Sequence, residues 1–129
     1  MKKTFTTEVS ESRVVEISIN GDLLELQIEE LSQSLQEATE VIQSAFINFQ
    51  EKLNILVDLS NFSGNYVVES LVLMVKFSSE TKQYVKKTAI YGASDKDKMA
   101  VEMISALSDR SDLKTFTTKE EALEWLKAS

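Results

Sequence analysis

The sequence offers few side chains that could carry out covalent chemistry. It contains no histidine and no cysteine, so a Ser-His-Asp or Cys-His nucleophile pair, a thiolate and a His- or Cys-based zinc site are excluded. Carboxylate, lysine, serine and tyrosine groups remain. Asp58 could act as a general base with Tyr91 or Ser63, but no acid and base stand at a recognisable motif spacing. We therefore expect no enzymatic activity, no cofactor and no metal.

Composition excludes several classes of partner. No GxxxxGK[ST] loop or GxGxxG turn occurs, and the three glycines stand far apart at positions 21, 64 and 92. A net charge of −7 would repel a nucleic-acid backbone over most of the surface. The longest apolar stretch, Val67 to Phe77, is too short to cross a bilayer, and no apolar signal segment follows Met1. We expect no nucleic-acid binding, no transmembrane segment and a cytoplasmic location.

Apolar periodicity predicts the elements that position these side chains. Thr4 to Val9 and Arg13 to Ile19 have the β-branched, partly alternating pattern of two strands, and the polar stretch 10–12 predicts a hairpin turn between them. The stretch 20–22 predicts another turn. A helix follows as far as about Glu51, because apolar residues then recur at steps of three and four. These residues are Leu31, Leu35, Ala38, Ile42, Ala45, Phe46 and Phe49.

The middle of the chain predicts two buried strands joined by a helix. Leu53 to Leu59 is a short apolar run, as expected for a strand covered on both faces. Val85 to Tyr91 predicts a second such strand, although it is less apolar at its start. The segment 66–84 between them is rich in valine, but its length and spacing favour a helix. Two parallel strands also need a crossover connection, which only this segment can supply.

The last third predicts helix, strand and helix. Ser94 or Asp95 could cap the first helix, Leu113 to Phe116 predicts a strand, and Thr118 with Glu121 forms a capping-box pattern. The buried face of the first of these helices should be formed by Met99, Ala100, Met103, Ile104 and Leu107. The inward stripe of the last helix should be Ala122, Leu123 and Leu126, with Trp125 partly beside it.

The predicted order is β-β-α-β-α-β-α-β-α, a single α/β domain over residues 1–129 with a mixed, mainly parallel sheet. Ligands of such sheets favour the crevice outside the carboxyl ends of the strands, so a site should include residues from 58–66 and 91–97. The candidate ligand or partner surface is Asp58, Asn61, Phe62, Ser63, Gly64, Tyr66, Tyr91, Gly92 and Ser94. Purely structural interpretations of these residues remain open. Ser63 and Gly64 could form a helix-capping turn without any other role, and Asp58 could simply accept N–H bonds from the next loop.

Three stretches of the chain together carry a family resemblance, and they are "ILVDLSNFSGNYVVESLVLMVKF", "KKTAIYGASDKDKMAVEMISAL" and "LKTFTTKEEALEWL". Their order and spacing resemble the bacterial SpoIIAA-like family, whose fold is shared by STAS domains and by the lipid-binding part of CRAL-TRIO proteins. Anti-sigma-factor antagonists with this fold are switched by a kinase at a hydroxyl in an Asp-Ser-Ser/Thr-Gly loop. The nearest match is the stretch 61–64, which keeps the hydroxyl and the glycine but has Phe62 in place of the acidic residue. The resemblance makes Ser63 the candidate phosphorylation site.

The resemblance implies a non-enzymatic regulatory or protein-interaction module. The alternative is a binder of a small apolar or lipid-like ligand, and a carboxylate-dependent enzyme ranks third. The partner is accordingly a protein or a small apolar molecule. The segment 66–77 has apolar residues on more than one face, so it could be core, cleft or interface. Together with the edge of the first hairpin, it predicts a homodimer.

Overall fold

The strands follow one another across the sheet in the order in which they occur in the chain. The protein is represented by a computed structural model, which describes residues 5–9, 13–23 and 26–128. The strands are β1 Phe5–Val9, β2 Val14–Ile19, β3 Leu53–Asp58, β4 Val85–Tyr91 and β5 Leu113–Phe116. β1 is antiparallel to β2, and all other neighbours are parallel. The predicted mixed, mainly parallel sheet is confirmed, whereas Thr4 and the predicted turn at 10–12 lie outside the described residues.

Helices supply every crossover between parallel strands. They are α1 Ile28–Phe49, α2 Val68–Thr81, α3 Asp95–Leu107 and α4 Lys119–Lys127, and a 3-10 turn, Lys82–Tyr84, follows α2. The predicted helix at 66–84 is therefore confirmed, although α2 begins two residues later than predicted. Within the described ranges, no helix is both long and apolar enough to span a membrane.

Each face of the sheet has its own apolar core, because successive side chains of a strand point to opposite faces. Val15 and Ile17 of β2 and Ile55 of β3 pack with the buried stripe of α1. Residues of α2 and α3, among them Met74 and Val101, pack against this larger core. On the opposite face, the inward stripe of α4 covers a smaller core formed by Val14, Leu56, Ala89, Ala122 and Leu126.

The predicted buried face of α3 is wrong for three of its five residues. Ala100 and Ile104 are buried, but Met99, Met103 and Leu107 are 70%, 47% and 66% exposed. The apolar stripe of α3 is wider than the part of the helix that faces the sheet. At 3.6 residues per turn, positions 99 and 103 are rotated by about 100° from the buried positions that follow them.

Both predicted helix caps are confirmed. The side chain of Ser94 accepts a hydrogen bond from the backbone N–H of Asp97 at the start of α3. The side chain of Thr118 accepts one from Glu121 at the start of α4. Each cap satisfies a backbone donor that the first turn of a helix leaves unpaired, and so fixes where the helix begins.

Candidate functional site

The loop after β3, residues 59–67 (the β3 loop), lies between the ends of β2 and β4. The Leu59 N–H donates to the Tyr91 carbonyl at 3.0 Å. On the other side, the Gly21 N–H donates to the Asn61 carbonyl at 2.9 Å, and the Ser63 N–H donates to the Gly21 carbonyl at 2.7 Å. The structure thus brings the β3 loop together with the residues after β4, and adds Gly21, which the sequence indicated only as part of a turn.

Two glycines permit the close approach of these loops. Gly92 has a φ of +72°, and a Cβ built on it would lie 2.7 Å from the backbone N of Ser60. Gly64 has a φ of +79°, and its Cβ would lie 3.0 Å from Oγ of Ser94. A side chain at either position would meet backbone strain. At Gly92 it would also collide with the Ser60 backbone, and at Gly64 it would press against the Ser94 side chain. Gly64 therefore places the β3 loop directly against the first turn of α3.

Asp58, Ser60 and Tyr91 form a polar group at the carboxyl ends of β3 and β4. Oδ1 of Asp58 accepts hydrogen bonds from both the backbone N–H and the hydroxyl of Ser60. Partial burial raises the pKa of Asp58. The hydrogen bonds from Ser60 and Tyr91 and the charge of Lys119 lower the pKa by a larger amount, so it lies below its usual value. The interpretation of Asp58 as an acceptor for the next loop fits this arrangement.

Tyr91 is correspondingly hard to deprotonate. Burial, the negative charge of Asp58 and the hydrogen bond between the two side chains raise the pKa of Tyr91 to about 12. A general acid or base works best with a pKa near the working pH. A carboxylate with a lowered pKa beside a phenol with a raised one does not meet that requirement at neutral pH.

Tyr66 and Asp97 connect the β3 loop to α3. The Tyr66 hydroxyl donates to Oδ1 of Asp97 at 2.7 Å, and the backbone N–H of Ser94 donates to Oδ2 at 2.8 Å. Asp97 is fully buried, and burial together with this carboxylate raises the pKa of Tyr66. Asp97 lies in the predicted range 91–97 but was not named among the candidate surface residues. The sequence feature that could have identified Asp97 is its position three residues after the helix cap Ser94.

Ser63 lies on the surface of the β3 loop and does not cap α2. The N-cap of α2 is Val67, four residues later, so the capping interpretation of Ser63 is wrong. The hydroxyl of Ser70 instead bonds to the backbone at the start of α2. It accepts a hydrogen bond from the Val67 N–H and donates one to the Val67 carbonyl. The exposed Ser63 hydroxyl makes no hydrogen bond to any other described residue. Phe62 beside it is buried and packs edge-on against the ring of Tyr66.

The two helices that begin beside the β3 loop expose an apolar surface. We call it the α2–α3 surface, and it consists of Val68, Val72, Met99, Met103 and Leu107, all of which are at least 47% exposed. α2 and α3 pack against each other. Val101 and Ser105 line a groove against β5, and at about 100° per residue Met99 and Met103 lie on the opposite side of α3. In the part of the chain that the structure describes, no group of three acidic side chains could hold a metal ion.

The sequence model of the SpoIIAA-like family matches residues 14–127. The chain belongs to the SpoIIAA-like family. A search of curated protein sequences found no match for this SpoIIAA-like protein.

Solved structures share the fold at low sequence identity. The protein TM1081 is 19% identical with a TM-score of 0.62, over 100% of this chain and 93% of that one. The anti-sigma factor antagonist SpoIIAA in its unphosphorylated form is 17% identical with a TM-score of 0.59, over 97% and 99%. The Bacillus cell fate determinant SpoIIAA in its phosphorylated form is 16% identical with a TM-score of 0.58, over 95% and 99%. At such identities the similarity shows the fold and not the function.

Proposed function

We propose that this SpoIIAA-like protein is a non-enzymatic regulatory module that binds a protein partner through the α2–α3 surface and the adjoining β3 loop. One observation carries the proposal: five exposed apolar side chains lie on two neighbouring helices. Single exposed apolar residues are ordinary on protein surfaces, whereas clustered ones mark interaction sites. Full burial of one such side chain is worth about 1.5–3 kcal/mol. On the sequence grounds given above, the module acts in the cytoplasm.

Ser63 is the proposed switch of this module. The hydroxyl is exposed and unbonded within the described residues, so a kinase could reach it without breaking a structural contact. SpoIIAA, a structural neighbour, has an unphosphorylated and a phosphorylated form. Because Gly64 lies against Ser94 and Lys96, a phosphate on Ser63 would add about −1.5 to −2 charge near the beginning of α3. That charge would alter a partner surface without unfolding the domain.

Crosslinking in the native cell tests the surface. A photoreactive benzoylphenylalanine replaces Met103 in one variant and Ile47 in another. Ile47 is the matched control, because it is 71% exposed and lies on α1. We expect one defined protein to be crosslinked from position 103 and not from position 47. Equal crosslinking from both positions, or none from position 103, contradicts the proposal.

Affinity for the crosslinked partner then tests the energetics. Met103→Glu should weaken binding by about tenfold or more, which corresponds to about 1.4 kcal/mol, because it places a charge in the apolar contact. Ile47→Glu introduces the same charge elsewhere and should leave the affinity within about twofold. Circular dichroism of both variants confirms that they remain folded. If the two variants bind equally well, the α2–α3 surface is not the interface.

The switch has its own variants. Ser63→Ala should bind the partner as the wild type does, and Ser63→Asp should change the affinity, because only the aspartate imitates the phosphate charge. Asn48→Asp places the same charge at an exposed position of α1, outside the proposed interface, and should have little effect. The Ser63 hydroxyl makes no bond within the described residues, so both Ser63 variants should retain the wild-type stability within about 0.5 kcal/mol. Equal affinities of Ser63→Ala and Ser63→Asp would refute the switch and leave the interface intact.

A further inference from the structure

A cavity of about 110 Å³, partly open to solvent, lies between the sheet and the layer formed by α1, α2 and α3. Its walls are mainly apolar and include Ile17, Ile55 and Ile90 from three neighbouring strands. Protein interiors are otherwise close-packed and contain few voids larger than a water molecule. An engineered apolar cavity of about 150 Å³ stays dry and binds benzene. The cavity is therefore of a size that admits a small organic molecule of about five or six non-hydrogen atoms.

Three buried polar side chains, Ser78, Thr88 and Arg110, also line this cavity. The Thr88 oxygen already accepts a hydrogen bond from Arg110. Ser78 is 7% exposed, and its hydroxyl makes no hydrogen bond to any other described residue. Among the described residues, the only fully enclosed polar side-chain atom without a partner is Oδ1 of Asn54, so the unbonded Ser78 oxygen borders accessible space. The Ser78 hydroxyl thus offers one unused hydrogen bond in otherwise apolar surroundings.

Arg110 does not give the cavity a free positive charge. Its Nε and Nη2 donate to the two carboxylate oxygens of Asp112, and Nη2 also donates to the Thr88 hydroxyl at 2.9 Å. This forked pair neutralises the guanidinium. A charged ligand would therefore lose its hydration without gaining an opposite charge, which is strongly unfavourable.

We infer that the cavity binds a small, uncharged and mainly apolar molecule whose single oxygen forms a hydrogen bond with the Ser78 hydroxyl. The apolar walls favour a ligand that is mainly apolar, and the Ser78 hydroxyl favours one that carries an oxygen. The Arg110–Asp112 pair leaves no free charge in the cavity and so disfavours a charged ligand. The inference is independent of the proposed partner surface, because the cavity is lined by the inner sides of α2 and α3 and not by their exposed apolar residues.

NMR of isoleucine methyl groups tests this inference with cyclopentanone as the probe. We expect saturable shifts of the Ile17, Ile55 and Ile90 methyl resonances at millimolar cyclopentanone. The methyl group of Ile47, which is 71% exposed on α1, should not move and serves as the internal control. Butyrate, of similar size but charged, should produce no saturable shift. The inference is overturned if cyclopentanone leaves the three buried methyl groups unchanged or if butyrate binds at least as tightly.

Substitution of Ser78 identifies the site. Ser78→Leu should abolish the cyclopentanone shifts because its side chain fills the cavity, whereas Ser79→Leu, at the exposed neighbouring position, should bind as the wild type does. Ser78→Ala removes only the hydroxyl, and should weaken cyclopentanone binding about fivefold while leaving cyclopentane binding unchanged. It also keeps the test decisive if Ser78→Leu does not fold. Unchanged cyclopentanone affinity in Ser78→Ala, or in a folded Ser78→Leu, would overturn the assignment.

Discussion

Tyr66 donates a 2.7 Å hydrogen bond to Asp97, and this bond joins the β3 loop to the first turn of α3. The same carboxylate also accepts the backbone N–H of Ser94, so Asp97 holds the helix start and the loop together. Gly64 allows the contact, because any side chain there would approach Ser94. The position of Ser63 relative to α3 thus depends on a buried carboxylate more than thirty positions further along the chain.

Replacement of Tyr66 by Phe tests this connection. The change removes one hydroxyl and leaves a buried acceptor of Asp97 without its donor, so we expect the free energy of unfolding to fall by about 1–3 kcal/mol. Urea denaturation measures the effect. Tyr84→Phe is the matched control, because the Tyr84 oxygen accepts only a long bond of 3.5 Å from Gln43, and it should cost less than about 0.5 kcal/mol. Equal losses in the two variants would show that the Tyr66–Asp97 bond contributes nothing specific.

The contact between Gly92 and Ser60 is tested by two alanine substitutions. Gly21 and Gly92 both have a positive φ, but a Cβ on Gly21 has no atom within 4 Å, whereas one on Gly92 would collide with the Ser60 backbone. Gly21→Ala should therefore cost only the backbone strain, about 1–2 kcal/mol. Gly92→Ala adds the collision and should cost more in the same urea measurement. A smaller loss for Gly92→Ala would mean that the β3 loop moves aside without penalty.

Asp58 should contribute stability that disappears in acid. Its pKa in the folded protein lies below the usual 3.8, because the bonds from Ser60 and Tyr91 and the charge of Lys119 outweigh the effect of burial. The unfolded state therefore binds the proton first as the pH falls, and stability is lost between about pH 5 and the folded pKa. Relative to the wild type, Asp58→Asn should be less stable at pH 7, and the difference should shrink at pH 3. A constant difference across this range would contradict the proposed interactions of Asp58.

Tyr91 should show the opposite dependence in alkali. Its folded pKa of about 12 exceeds the ordinary value of 10.0, so the folded state keeps a proton that the unfolded state loses, and stability falls as the pH rises from 10 to 12. NMR of the tyrosine ring carbons measures the titration. Asp58→Asn should lower the pKa of Tyr91, because it removes the neighbouring charge. Ser60→Ala retains that charge and should leave the pKa raised. Titration of Tyr91 at the same pH in both variants would rule out Asp58 as a cause.

Self-association remains a prediction with two candidate interfaces, α2 and the edge strand β1. Sedimentation at high micromolar concentration should show a dimer. Val72→Glu, at a position 61% exposed on α2, should give a folded monomer if α2 forms the interface, and a dimer if β1 does. Leu73 and Met74 are unsuitable for this purpose, because both pack against the larger core. A wild-type monomer at that concentration would exclude both interfaces.

Local signals predicted most of the fold. The strands Val85–Tyr91 and Leu113–Phe116 were predicted with the bounds that the structure has. The caps at Ser94 and Thr118 were likewise visible, since capping depends on residues only three positions apart. Helix 66–84 followed from topology, because two parallel strands need a crossover.

Features that depend on distant contacts could not be predicted in the same way. Periodicity identified the apolar residues of α3, but the placement of α3 on the sheet decides that Ala100 is buried and Met103 is not. Asp97 is fully buried and accepts a hydrogen bond from Tyr66, which belongs to another loop. The hydroxyl of Ser63 does not cap α2, because α2 begins at Val68 and not immediately after Gly64.

The smaller core is covered by the helix that is synthesised after all five strands. Leu56 and Ala89 lie in the centre of the sheet, yet the α4 residues that bury them, Ala122 and Leu126, follow every strand in the chain. On the ribosome, the nascent chain can assemble β1 to β5 with α1, α2 and α3 while this face is still uncovered. During that interval the face would bind a chaperone or another nascent chain, and the emergence of α4 would end its exposure.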